Sequence, residues 1–261
     1  MELTTNFIKN GLTKEDDQMK KFFVVIMILL LWIIPSMLFN YSNCNAKVFH
    51  YPENNLIIIA DPITPERKTK KPPTDEEPKD NDHFELLGIY IPDLIEFRVN
   101  DLVTEKYLGA IIYSMLNWNI ERDLFIWGGY TEKYWYSNDG ENTISFVKFT
   151  PRNYIGFAAI HYDPNITCPI TGLDAITDVD IVLNALHRWE VDPDGEGPIR
   201  IKAFDVENIA THEMGHALGL ADLYNIVNSE LTMYGYASKG ETKKMSLESG
   251  DIAGVEYIYG K

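Results

Sequence analysis

Cysteine is scarce in this chain. Cys44 and Cys168 are the only two, so one disulfide is the most it can form, and spacing alone does not decide that pairing. Neither has the spacing of a metal knuckle. An excess of basic residues is missing as well. The net charge is −16, and from Phe84 onward 13 Lys+Arg face 27 Asp+Glu. That balance excludes a nucleic-acid partner, which needs a basic footprint. Internal repeats are absent. Long apolar runs are limited to one, the 18 uncharged residues Phe22 to Phe39, broken late by Pro35 and Ser36 and preceded by Lys20 and Lys21. The run fits a membrane anchor or a cleaved signal peptide whose basic start is Met19-Lys20-Lys21 and whose cut follows Ala46. Either way, the chain beyond it is expected outside the cytoplasm, secreted or held at the membrane through residues 22–39.

Residues 47–83 read as a linker. Asn55 to Ala60 suits a short strand, but Pro62 to Asp82 is dense in Pro, Lys, Glu and Asp and has no apolar period, so it cannot bury a core. The remainder, 84–261, is the expected domain. Apolar residues make up 45% of the chain, enough for a full core. Leu108, Ile111, Ile112, Met115 and Leu116 predict a helix within 102–120. Strands are predicted after Pro92 and over Leu124–Trp127, Tyr134–Tyr136, Thr143–Phe149, Ile155–Tyr162 and Ile176–Asn184. In the last, Val179, Ile181 and Leu183 alternate with Asp178 and Asp180. A helix capped by Asp205 should run to about Leu218, and a final helix capped by Ser246 should bury Ile252, Val255 and Tyr259.

The chemistry concentrates in Thr211-His212-Glu213-Met214-Gly215-His216-Ala217-Leu218-Gly219-Leu220-Ala221-Asp222. Two histidines four apart share one face of a helix and can bind one Zn²⁺. Glu213 projects beside the metal, where a general base for an activated water belongs. Gly219 lets the chain leave the helix, and Asp222 arrives three residues later as a third ligand. Three protein ligands leave a position for water, which is the catalytic pattern. Two rivals stand beside this reading. One is a zinc-binding surface module without catalysis. The other is a different zinc hydrolase with Glu230 as third ligand.

Together with Met233 in Leu231-Thr232-Met233-Tyr234-Gly235, these residues resemble the metzincin clan of zinc peptidases, whose pattern is H-E-x-x-H-x-x-G-x-x-H/D followed by a Met-turn. The matrixin-type branch is the most similar, and Leu247–Gly260 and Thr177–Asn184 resemble its closing helix and substrate-side strand. The resemblance implies an α+β fold: a mixed twisted sheet with three helices and a cleft between two unequal lobes. It also implies a zinc endopeptidase acting on protein or peptide substrates. Metal ligands would be His212, His216 and Asp222, with Glu213 catalytic and Met233 an apolar floor. The strand Asp178–Asn184 would bind an extended substrate by strand addition. Gly235 stands where astacin-like relatives carry a tyrosine. The Pro-Arg-Cys-Gly motif that keeps matrixins latent is missing. His161, Asp163 and His187 give an incomplete second zinc set and read as surface or core residues. The Asp192–Glu196 loop offers oxygens suited to Ca²⁺, or simply a solvated turn.

Overall fold

The computed structural model describes residues 47–63, 83–119, 122–192 and 202–260; the apolar run 22–39 lies outside them. Among the described residues no helix is long and apolar enough to cross a membrane.

The strands are β1 (Lys47–Tyr51), β2 (Leu56–Pro62), β3 (Ile89–Tyr90), β4 (Ile95–Asn100), β5 (Phe125–Thr131), β6 (Asn142–Val147), β7 (Tyr154–Thr167), β8 (Asp174–Asn184), β9 (Trp189–Glu190) and β10 (Phe204–Asp205). Among the described residues the α-helices are α1 (Glu105–Trp118), α2 (Val206–Ala217) and α3 (Ser249–Tyr259). One sheet runs β1-β2-β7-β8-β6-β4-β5, with β3 added against β8. The pairs from β8 to β5 are parallel, and those from β8 to β1 are antiparallel. This is the expected α+β arrangement of a mixed sheet with three helices.

The core explains the pattern. In β8, Val179, Ile181 and Leu183 are fully buried against the helices, each contributing roughly 1.5–3 kcal/mol relative to exposure. In α1, Leu108, Ile111, Met115 and Trp118 are buried at helical spacing. The Trp118 indole donates to the Thr211 carbonyl at 2.8 Å, which fixes α1 against α2. Asp178 and Asp180 take the other face of β8, yet they too are buried. Asp178 accepts amide hydrogens from Asp139 and Gly140, and Asp180 accepts those of Ser137 and Thr143. The two carboxylates thus hold the loop before β6 down on the sheet.

Four expectations need correction. Residues 47–63 are not linker: β1 and β2 extend the main sheet, because Leu56, Ile57 and Ile59 bury against it. Tyr134–Tyr136 form no strand. Trp135 and Tyr136 instead pack edge-on against Phe157, so their aromatic character serves a cluster on the sheet surface rather than a ladder. α3 is capped by Glu248, not Ser246, in a reciprocal capping box with Asp251. Its buried face is Asp251, Gly254 and Ile258, with Val255 and Tyr259 packed against the core as expected; Ile252 is not part of it. Finally, β8 cannot take a substrate by strand addition over Asp178–Asn184, since β6 and β7 occupy both of its edges there.

Candidate metal centre

Helix α2 begins as expected. The Asp205 side chain accepts the Asn208 amide at 2.8 Å, satisfying one of the donors a helix leaves open at its start. The helix is buried on all sides, which suits a structural axle rather than a surface helix. His212 and His216 meet edge to face one turn apart, ring centroids 4.8 Å from each other. Their backs are fixed by backbone carbonyls: His212 Nδ1 lies 2.6 Å from the Thr232 oxygen, and His216 Nδ1 lies 2.8 Å from that of Leu220. Each Nδ1 therefore carries the proton, and each Nε2 lone pair faces inward, as metal-binding imidazoles require.

Gly219 then reverses the chain at φ +92°. A side chain there would also collide with the Ile89 carbonyl, so glycine is required twice over. The reversal brings Asp222 back to the histidines. Its Oδ1 lies 3.3 Å from His212 Nε2 and 3.7 Å from His216 Nε2. Its Oδ2 accepts the Tyr224 hydroxyl at 2.9 Å, which leaves Oδ1 as the atom that could hold a metal. Gly235 makes room for that tyrosine: an added Cβ would come within 2.6 Å of the Tyr224 ring. A glycine at position 235 is thus what admits the Tyr224 ring beside Asp222. Glu230 is exposed and paired with Lys243, so it has no part in the centre.

Met233 is buried, and it packs against α2 at Gly215, where any side chain would clash with its sulfur. The turn that carries it is pinned from α3. Asp251 accepts the amide hydrogens of Thr232 at 2.9 Å and Met233 at 3.0 Å. Lys244 adds a buried cation behind His212. Its Nζ donates to the Thr232 carbonyl at 2.9 Å and to that of Tyr234, and burial pushes its pKa down to about 8.

Glu213 is fully buried beside the histidines. Strand β7 crosses it so closely that a Cβ on Gly156 would sit 2.6 Å from its Oε1. Burial, then the charge of Asp61, holds its carboxyl well above the usual range. Asp61, from β2, is the unforeseen member. Asp61, His212, His216 and Asp222 each offer one ligand atom, all within 4.8 Å of one another. His212 loses protonation to burial and to Lys244, but Asp61 and Asp222 outweigh both and lift its pKa to about 9. The cluster therefore demands a cation.

Several of these buried atoms have no hydrogen-bond partner among the described residues: Asp61 Oδ1 and Oδ2, Glu213 Oε1 and Oε2, His216 Nε2 and Asp222 Oδ1. Desolvated polar atoms are rarely left unmatched, and imidazole nitrogen with carboxylate oxygen is the donor set of zinc. The residues fit that ion. No second such cluster occurs among the described residues. His161 lies 3.8 Å from Asp178, Asp163 accepts from the Asn165 amide, and His187 bonds the Tyr154 carbonyl.

A family model described as matrixin matches residues 125–260. The chain belongs to the matrixin family. Among relatives, it is 40% identical over 79 residues to Metalloendoproteinase 1-MMP of Arabidopsis thaliana, covering 30% of this chain and 20% of that protein. It is 34% identical over 87 residues to Metalloendoproteinase 1 of Glycine max, covering 33% and 27%. The chain thus spans about a fifth to a quarter of the length of these relatives. Matrixin membership implies zinc, and the matched span holds His212, Glu213, His216, Asp222 and Met233. Asp61 falls outside it.

Sequence reasoning missed Asp61, Tyr224, Lys244 and Asp251. Asp251 left a signal, the Glu248-x-x-Asp251 spacing of a capping box. The other three become visible only once the chain is folded.

Proposed function

We propose that this matrixin is a zinc-dependent endopeptidase. The observation that carries the reading is the convergence of two imidazole Nε2 atoms and Asp222 Oδ1 beside a buried Glu213 carboxylate, with each imidazole back locked to a carbonyl. His212, His216 and Asp222 would hold the zinc, which supplies Lewis-acid activation of a water and of the scissile carbonyl. Glu213 takes the proton of the attacking water and delivers it to the leaving amine. Its burial keeps that carboxylate out of competition with bulk water, and a divalent cation offsets the burial and the acidic neighbours that otherwise hold it protonated. Met233 and Gly215 keep the floor apolar and close-packed. Lys244 and Asp251 fix the turn whose carbonyl orients His212.

The substrates are proteins or peptides. The domain lies outside the cytoplasm, released by cleavage after Ala46 or held by residues 22–39; N-terminal sequencing of the mature protein separates the two. A calcium ion on the Asp192–Glu196 loop remains an expectation that lies outside the described residues except at Asp192, whose amide is bonded to Asp205. The decisive experiment is Glu213→Ala. Zinc content and fold should persist, while peptide hydrolysis falls by about 10²-fold or more. Near-normal turnover in this variant would show that the base lies elsewhere. Activity that survives complete zinc removal would refute the reading as a whole.

A further inference from the structure

The least expected feature of the centre is Asp61, and we propose that it is a fourth protein ligand of the same zinc, delivered by a strand that occupies the edge open to an extended substrate. The inference rests on the zinc-peptidase reading above and adds its regulation: with Asp61 in place the chain hydrolyses peptides at only a fraction of its full rate.

The geometry treats Asp61 and Asp222 alike. Asp61 Oδ1 lies 3.3 Å from His212 Nε2 and 3.8 Å from His216 Nε2. The corresponding distances from Asp222 Oδ1 are 3.3 and 3.7 Å. Asp61 is 4% exposed, and neither of its oxygens has a hydrogen-bond partner among the described residues. A carboxylate so placed needs a cation. Charge agrees. With neutral imidazoles, Asp61, Asp222 and Glu213 carry three negative charges, and Lys244 with a divalent cation balances them. Without Asp61 the same pocket would hold a surplus positive charge.

The backbone explains how Asp61 arrives. β2 lies antiparallel on β7, with Asp61 opposite Gly156, the residue that crosses Glu213. The register then shifts between Asp61 and Pro62; such a bulge re-aims a side chain. Beyond it, Ile63 bridges in parallel to Ala237, past the Met233 turn. This segment therefore runs from the β7 edge across the metal centre to the opposite wall. β8 has both edges filled over its substrate-side stretch, so β7 is the strand onto which a substrate backbone could add, and β2 holds it. Four protein ligands close a zinc site, whereas three keep it open to water. The chain carries no Pro-Arg-Cys-Gly motif, and Asp61 fills the role of a blocking ligand with oxygen instead of sulfur.

The test uses the full chain with Co²⁺ in place of zinc, alongside Asp61→Asn and Asp61→Ala. The wild type should show no exchangeable water on the metal by solvent-proton relaxation. Both variants should gain one, with a changed visible spectrum. Acetohydroxamate, a small chelating probe, should bind the variants about 10-fold tighter or more, since the competent fraction sets apparent affinity, and peptide hydrolysis should rise in step. If wild type and variants bind Co²⁺ with the same spectrum and the same hydroxamate affinity, the Asp61 proposal falls and the zinc reading stands. If no form takes up the metal, both fall. An exchangeable water on the wild-type metal overturns the proposal even where neither variant folds.

Discussion

Asp251→Ala is the most informative single change outside the ligands. Its carboxylate accepts amide hydrogens from Thr232 at 2.9 Å, Met233 at 3.0 Å and Glu248 at 2.9 Å. Thr232 and Met233 are buried, so alanine strands two donors away from water. Each stranded donor costs about 1–3 kcal/mol. Some relaxation will recover part of this, which gives a loss of about 2–5 kcal/mol, a large share of the roughly 5–15 kcal/mol that holds a domain folded. Asp251→Asn retains one acceptor oxygen and should lose about half as much. The effect reaches the metal because the Thr232 carbonyl orients His212. Zinc affinity should fall about 10–100-fold, as for other residues that support a ligand. Urea unfolding of the metal-free protein measures the first quantity, and competition with a chromophoric chelator measures the second. If Asp251→Ala keeps both the unfolding midpoint and the zinc affinity, the turn is held by the packing of Met233 on Gly215 and not by the carboxylate.

Three further changes probe other parts of the structure. Asp222→Ala should cost more than about 100-fold in zinc affinity, beyond the range of supporting residues, while Asp222→His should retain metal; an unchanged titration for the alanine variant would remove Asp222 from the ligand set. Tyr224→Phe deletes only the hydroxyl on Asp222 Oδ2 and should weaken zinc about 10-fold with the fold intact by circular dichroism, and no loss at all would mean Asp222 is oriented by its backbone alone. Burial, aided by Asp178, raises Asp180 from 3.8 to about 6 against the hydrogen bonds of Thr143 and Ser137. A carboxyl raised on folding favours the folded state only while protonated, so that contribution is complete below the unfolded value and is lost as pH rises to about 6. The unfolding free energy of the wild type minus that of Asp180→Asn should therefore fall by roughly 2–3 kcal/mol from pH 4 to pH 7, and a difference that is flat or rises over that range would contradict the burial argument.

Legibility followed distance along the chain. The α2 cap at Asp205, the His212–His216 face, the Gly219 exit and the Asp222 return all lie within one helix and its turn, where the period of 3.6 residues and the special conformation of glycine dictate who meets whom. Alternation in β8 likewise placed Val179, Ile181 and Leu183 in the core. Tyr134–Tyr136 misled because aromatic residues suit a strand and an aromatic cluster equally well. The reading of Ser246 as a cap failed for a neighbouring reason: hydroxyl residues are frequent caps, but here Glu248 and Asp251 satisfy the helix start between them.

Residues 47–63 show the limit most clearly. Local pattern marked Asn55–Ala60 as a strand but could not say which strand it would join. Pairing register is decided by which edge offers matching backbone groups and an apolar face, and that edge belongs to β7, far along the chain. Once β2 is docked there, the bulge at Asp61 and Pro62 turns one carboxylate toward His212. The nature of the metal site was written in neighbouring residues, because helix geometry is local. That Asp61 joins those residues was decided by tertiary pairing, because a strand carries no information about its partner until an edge receives it.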